Sequence, residues 1–170
     1  MTRAGGIDVK RRISAIVFST LLLLTAVLAS SRDEAAAVGG DNVVTGAGAG
    51  VFPAGANYAG VQLAGGTFGL GVQTTSTGSA TGDLEVQFNG TSLIGLDQSI
   101  TIAGKITSGT DNGNGTMTFS GTAIVNMGDG APPTGGVALV ATVGPTGITV
   151  TLGGSPLPTL PKSDGFIAIE

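Results

Sequence analysis

From Asn42 onward apolar residues recur at every second position, and clusters of Gly, Asn, Asp and Pro interrupt them about every ten residues, the pattern of short antiparallel strands joined by tight turns. In Asp83–Phe88, Leu84, Val86 and Phe88 point one way while Asp83, Glu85 and Gln87 point the other, so this strand is half-buried. Phe68, Leu70 and Val72 alternate with Thr67, Gly69 and Gly71, and predict its partner. Met117 and Phe119 alternate with Thr116, Thr118, Ser120 and Thr122, and the strand continues toward Ile124 and Val125. Val137–Val143 is almost wholly apolar and predicts a central strand covered on both faces. Ile148, Val150 and Leu152 form a further strand, and Phe166-Ile167-Ala168-Ile169 closes the chain with another. The connections are expected at Gly78–Gly82, Asn89-Gly90, Asp111–Gly115, Gly128–Gly136 and Gly153–Ser163. Gly46-Ala47-Gly48-Ala49-Gly50 suits either a flexible loop or a stretch of small residues packed beneath a neighbouring strand. No long helical period interrupts this pattern. The expected fold is all-β, an antiparallel sandwich of about eight to ten short strands.

The first residues follow a different rule. Arg3, Lys10, Arg11 and Arg12 precede an apolar run from Ile13 to Leu28, and Val27-Leu28-Ala29 supplies the small residues of a cleavage site, so residues 1–29 predict a helical secretory signal peptide. A retained membrane anchor is the competing reading, because Ala29 and Ser30 bring the run to about 18 residues. Arg11-Arg12 suggests the twin-arginine route, but Ser14 and Ala15 stand where that signal carries strongly apolar residues, which favours the general secretory pathway. Residues 30–40 show no period and are expected to be a disordered leader, leaving 41–170 as one domain.

Composition narrows the chemistry. The 170 residues contain 31 Gly but no Cys, His or Trp, which removes disulfides, thiol redox centres, Cys or His zinc sites and Ser-His-Asp triads. Loss of residues 1–29 removes four of the seven basic groups and one of the eleven acidic ones, leaving three against ten and a formal charge of −7. Only Arg32, Lys105 and Lys162 remain as cations, so nucleic acid and anionic membrane surfaces are not expected partners. An acidic, cysteine-free exported chain fits a bacterial source, and its destination is the extracellular space or the cell envelope.

The segments Gly66-Thr67-Phe68-Gly69, Gly82-Asp83-Leu84-Glu85-Val86-Gln87-Phe88, Gly121-Thr122-Ala123-Ile124-Val125-Asn126 and Gly165-Phe166-Ile167-Ala168-Ile169 follow one another in an order that resembles the secreted bacterial β-sandwich modules called post-COAP domains. The resemblance covers residues 65–170. It implies an extracellular sandwich appended to exported proteins, with no known catalytic role. This chain departs from the pattern in having few aromatics and in placing Glu170 where a His would be expected.

Four sets of residues carry candidate chemistry. Asp83 and Glu85 share one strand face about 7 Å apart and could frame a glycosidic bond, although acid/base work requires one carboxyl to be desolvated and alternating charge is also what keeps an outer strand face wet. Asp111, Asn112 and Asn114, with Asp129 from a second turn, are the candidate calcium ligands. The spacing does not fit an EF-hand, since Gly113 occupies the third position and no Glu follows at the twelfth, and the two Asn-Gly pairs are turn signals in their own right. Thr116, Thr118, Ser120, Thr122, Thr149 and Thr151 form hydroxyl rows of the kind that can bind carbohydrate or order water, with Tyr58 the aromatic left over for stacking. Lys105 and Lys162 are the bases available to a nucleophile, and neither lies in a recognisable motif.

These observations predict no catalytic residue, no cofactor other than Ca2+, and a non-catalytic structural or binding module with a cell-surface glycan or protein as partner. A carboxylate-dependent polysaccharide hydrolase or lyase is one alternative. Self-association through an exposed strand edge is the other, because uncharged Gly- and Thr-rich strands do little to prevent edge pairing.

Overall fold

The structure is a computed structural model that describes residues 42–170. The expected signal peptide (1–29) and leader (30–40) lie outside the described residues. The ten strands are β1 (Asn42–Val51), β2 (Asn57–Tyr58), β3 (Val61–Thr74), β4 (Ser79–Thr91), β5 (Asp97–Asp111), β6 (Met117–Asn126), β7 (Thr134–Gly144), β8 (Gly147–Leu152), β9 (Ser155–Pro156) and β10 (Leu160–Ile169). All pairings are antiparallel, and no helix occurs among the described residues.

The all-β antiparallel expectation holds, but the sheet is single. Strands β3 to β8 form a meander of sequential hairpins, β10 pairs with β8 and with β1, and β1 pairs with β3, so the ladder returns to its start. Eight strands close the ring, with β2 and β9 as short additions to β3 and β8. The two facing sheets expected of a sandwich are thus replaced by an up-and-down closed ladder, a solution that removes sheet edges by closure. Closure requires stagger. Partners followed from Val44 through Val72, Gly82, Ile106, Gly121, Leu139 and Leu152 lead to Ser155, far along the chain from Ile169, which is Val44's partner on its other side. The mismatch falls at the β8–β10 junction, where only Leu160↔Ile148 and Pro161↔Gly147 pair.

Alternation places the core inside this ring. Leu84, Val86 and Phe88 from β4 meet Leu70 and Phe68 of β3 and Ile100 and Ile102 of β5, and all are buried. Phe88, Phe119, Ile100, Ile102, Met117 and Leu139 are the largest fully buried side chains, with Phe52 set edge-on to Phe88 at 5.1 Å between ring centroids. Thr74 is the one buried polar residue among those described, and its hydroxyl donates to the Asn42 carbonyl at 3.3 Å.

Four local expectations are settled or changed. Gly46–Gly50 is a strand, and its glycines face inward while Ala47 and Ala49 face outward. A Cβ on Gly48 would lie 2.5 Å from the Asp164 carbonyl and 2.9 Å from the Phe68 ring, and one on Gly46 2.9 Å from Leu70, so the small residues leave room for the β10 backbone and for large side chains across the ladder. Asn89-Gly90 is not a turn; it lies within β4 opposite Ser99 and Gln98, and the connection is Ser92–Leu96. Ser79–Gly82 likewise belongs to β4, and the turn is made by Thr75–Gly78. Finally, β7 is covered on one face only: Leu139, Ala141 and Val143 are buried, whereas Val140 is exposed.

Candidate functional site

The strand register assembles a polar surface on the outer wall. Asp83 of β4 lies opposite Lys105 of β5, which lies opposite Thr122 of β6. Lys105 Nζ donates to Asp83 Oδ1 at 2.9 Å, with side chains 74% and 71% exposed. Two positions along β4, Glu85 faces Ala103, which in turn faces Ile124. Together with Gly136 at the start of β7, these residues line an open groove of about 530 Å³. Its floor is made by the backbone around Leu84, Gly104 and Ala123, whose side-chain directions point into the core.

Asp83 and Glu85 therefore share a face, as their spacing requires, and both are exposed. Asp83 already has a cationic partner, and the apolar neighbours of Glu85 in the groove are Ala103 and the exposed Ile124. Further along the same wall Gln87 Nε2 donates to Asn89 Oδ1 (3.3 Å) and to Ser99 Oγ (3.0 Å), and Ser99 Oγ donates to Asn89 Oδ1 (3.1 Å). Asn89 thus sits in a hydrogen-bonded cluster on a strand.

The calcium candidates divide between the two rims of the ring. Asp111, Asn112 and Asn114 belong to the β5–β6 turn, whereas Asp129 lies in the β6–β7 loop, so the length of β6, about 33 Å at the usual rise per residue, separates them. Within the turn the side-chain oxygens face local donors. Asp111 Oδ1 accepts from Gly113 N (2.8 Å), and Asn114 Oδ1 accepts from Thr116 N (3.2 Å) and Thr116 Oγ1 (2.6 Å). Asn112 Nδ2 donates to Thr116 Oγ1 and Thr118 Oγ1. At the other rim Asp129 Oδ1 accepts from Ala131 N at 3.0 Å. Each oxygen named here folds its own turn, and no group of three or more carboxylates converges among the described residues.

The hydroxyl rows run across strands as well as along them. Thr110, Thr118, Thr142 and Thr149 are successive partners from β5 to β8, and Thr149 Oγ1 lies 2.9 Å from Thr159 Oγ1. Thr118 and Thr142 hydroxyls are 3.0 Å apart. Neighbouring strands rotate by about 20–25°, so a row crossing four of them turns through a large angle and presents no flat lattice. Tyr58 lies on β2, at the opposite rim from the β5–β6 turn, and Lys162 Nζ donates to the Gly165 carbonyl at 3.2 Å.

Sequence reasoning singled out Asp83 and Glu85 but not Lys105 as the partner of Asp83, nor Ile124 and Gly136 as walls of their groove. The registers of the β4–β5, β5–β6 and β6–β7 hairpins bring these residues together, with 22 positions between Asp83 and Lys105. No family model, curated protein or solved structure matches this chain.

Proposed function

We propose that this is an exported, non-catalytic β-barrel module that serves a structural or binding role at a bacterial cell surface or outside the cell. One observation carries the reading: every described carboxylate is exposed, while the interior is filled by apolar side chains. A carboxyl that works as a general acid near neutral pH is held in a desolvated pocket, and neither Asp83 nor Glu85 has one. The signal-like N-terminus supports export through the general secretory pathway. Polarity supports a water-facing wall, because a membrane-spanning barrel presents an apolar band outward, whereas Asp83, Glu85, Gln87, Asn89 and Lys105 point outward here. The post-COAP resemblance belongs to the same proposal; its four motifs fall on β3, β4, β6 and β10. The outer groove offers paired charge, the Thr122 hydroxyl and exposed Ile124, a mixture suited to a glycan or a protein surface and unsuited to polyanions.

The test compares wild type with the Asp83→Asn/Glu85→Gln double variant on a panel of bacterial and plant polysaccharides. No release of reducing ends by either protein is expected. Wild-type turnover lost in the double variant would overturn the reading in favour of a carboxylate-dependent hydrolase or lyase.

Self-association is the second reading, and the β8–β10 junction favours it. Beyond Lys162, whose N–H donates to the Thr146 carbonyl, β10 pairs with β1 alone, leaving its other edge without a ladder partner and Phe166 56% exposed on the outer face. The edge is partly blunted, since Asp164 Oδ1 accepts from Gly165 N (2.8 Å) and Lys162 caps the Gly165 carbonyl. A concentration-independent monomer in analytical ultracentrifugation would remove this reading.

A further inference from the structure

Three Asn-Gly pairs occur in the described chain, at Asn89, Asn112 and Asn114, and the structure treats them very differently. Asn89 and Gly90 are locked in the β4 ladder, and Gly90 packs directly against the Gln62 carbonyl. Asn112 and Asn114 share the exposed β5–β6 turn, but their bonding differs, the Asn112 Oδ1 accepting, among the described residues, only from Thr118 Oγ1, at 3.5 Å. Asn112 uses its amide nitrogen to donate to Thr116 Oγ1 (2.8 Å) and Thr118 Oγ1 (3.1 Å), and the N–H of Gly113, its following residue, donates to Asp111. Asn114 uses its amide oxygen, which accepts from Thr116 N (3.2 Å) and from Thr116 Oγ1 (2.6 Å). Among the described residues no acceptor lies on the Gly115 N–H.

We propose that Asn114 is a site of spontaneous, structure-directed deamidation. The bond from Thr116 N to Asn114 Oδ1 closes a ring that contains both the Gly115 nitrogen and Asn114 Cγ, and so restricts the motion of the two reacting atoms. Two donors already aimed at Oδ1 stabilise the negative charge that develops on this oxygen when Cγ is attacked. Thr116 Oγ1 is itself polarised by the hydrogen bond that it accepts from Asn112. The step begins when hydroxide removes the Gly115 amide proton. The nitrogen then attacks Asn114 Cγ, the N–Cγ bond forms, the Cγ–Nδ2 bond breaks, and ammonia leaves with a proton taken from water. Water next opens the five-membered imide at either carbonyl, giving aspartate at 114 or an isoaspartate through which the backbone runs via Cγ. The net exchange is one ammonia lost for one water gained. Gly115, at φ +75° with no side chain to hinder approach, is the least obstructed neighbour such a reaction could have. Asn126 makes the same type of turn, its Oδ1 accepting from Gly128 N at 2.9 Å, but Met127 supplies the nitrogen there and its side chain crowds the approach.

The test holds the folded full chain at mildly alkaline pH and follows each site by peptide mass spectrometry, the modified peptide being about one dalton heavier. Asn114 is expected to deamidate about ten-fold faster than Asn112 and faster still than Asn89, with the three rates converging within about three-fold in urea. Thr116→Val, which removes the hydroxyl donor, is expected to slow Asn114 at least about three-fold, with circular dichroism confirming that the variant is folded. An Asn112 rate in the folded protein equal to or above that of Asn114, or an unchanged Asn114 rate in folded Thr116→Val, would overturn the proposal.

Discussion

Two glycine-rich strands of this protein put the same residue to opposite uses. In β1, Gly46, Gly48 and Gly50 face the interior, where an added Cβ would meet Leu70, the Phe68 ring and the Pro161 carbonyl. In β3, Gly69 and Gly71 face outward, and an added Cβ at either would meet nothing within 4 Å. The first set is a packing requirement: the β10 backbone carbonyls and the large side chains of β3 need a wall without substituents. The second set leaves a bare strip of outer wall beside Asp83 and Glu85, their cross-strand partners. Glycine content alone therefore says nothing about flexibility here; the direction of the missing Cβ decides its meaning.

The difference can be tested by substitution, with stability measured by chemical denaturation. Phe68→Ala, which empties the space that the β1 glycines keep open, is expected to cost about 3–5 kcal/mol. Gly48→Val is expected to cost about 1–3 kcal/mol through overpacking against the Asp164 carbonyl and the Phe68 ring, and Phe68→Leu in the same chain is expected to return the part due to the ring. Additive effects of those two changes would break the claim that the glycine and the ring share one space. Gly71→Thr has the opposite sign: a β-branched residue on an open outer face is expected to stabilise by about 0.5–1 kcal/mol, and a loss would show that this strip is covered. Lys105→Ala is expected to change stability by less than about 0.5 kcal/mol, because the exposed pair with Asp83 is screened by water.

The strands with alternating large residues were legible in the sequence. Leu84, Val86 and Phe88 face inward and pair with the Phe68–Val72 strand, because each apolar position forces the register. Gly46–Gly50 was ambiguous because a glycine-alanine alternation carries no hydrophobic signal for either face. Asn89-Gly90 misled for a related reason. Its turn chemistry is real, but the ladder continues through it, and Ser92–Leu96 closes the hairpin instead, with Ser92 Oγ accepting from Leu96 N. Closure itself depends on β1 meeting both β3 and β10, which lie far apart in the chain and announce no pairing. At the candidate site, Asp83 and Glu85 could be placed on one face by period two. Lys105, Ile124 and Gly136 could not, because cross-strand neighbours depend on registers set by bulges, such as those between Ile106 and Ser108 and between Ala123 and Val125.

The central claim is that β1 closes the ring, and residue-resolved amide hydrogen exchange tests it most directly. Val43 and Glu170 exchange bonds of 2.8 and 3.0 Å, so Thr45 and Ala47 also point their N–H groups toward β10, while Val44, Gly46 and Gly48 point theirs toward β3. Two-sided pairing predicts unbroken protection from Val43 to Gly48. In β10, paired on one side beyond Lys162, Phe166 and Ala168 should be slow and Ile167 and Ile169 fast. Alternating protection along β1, every second amide exchanging rapidly, would mean that β1 is an edge strand and that the ring is open.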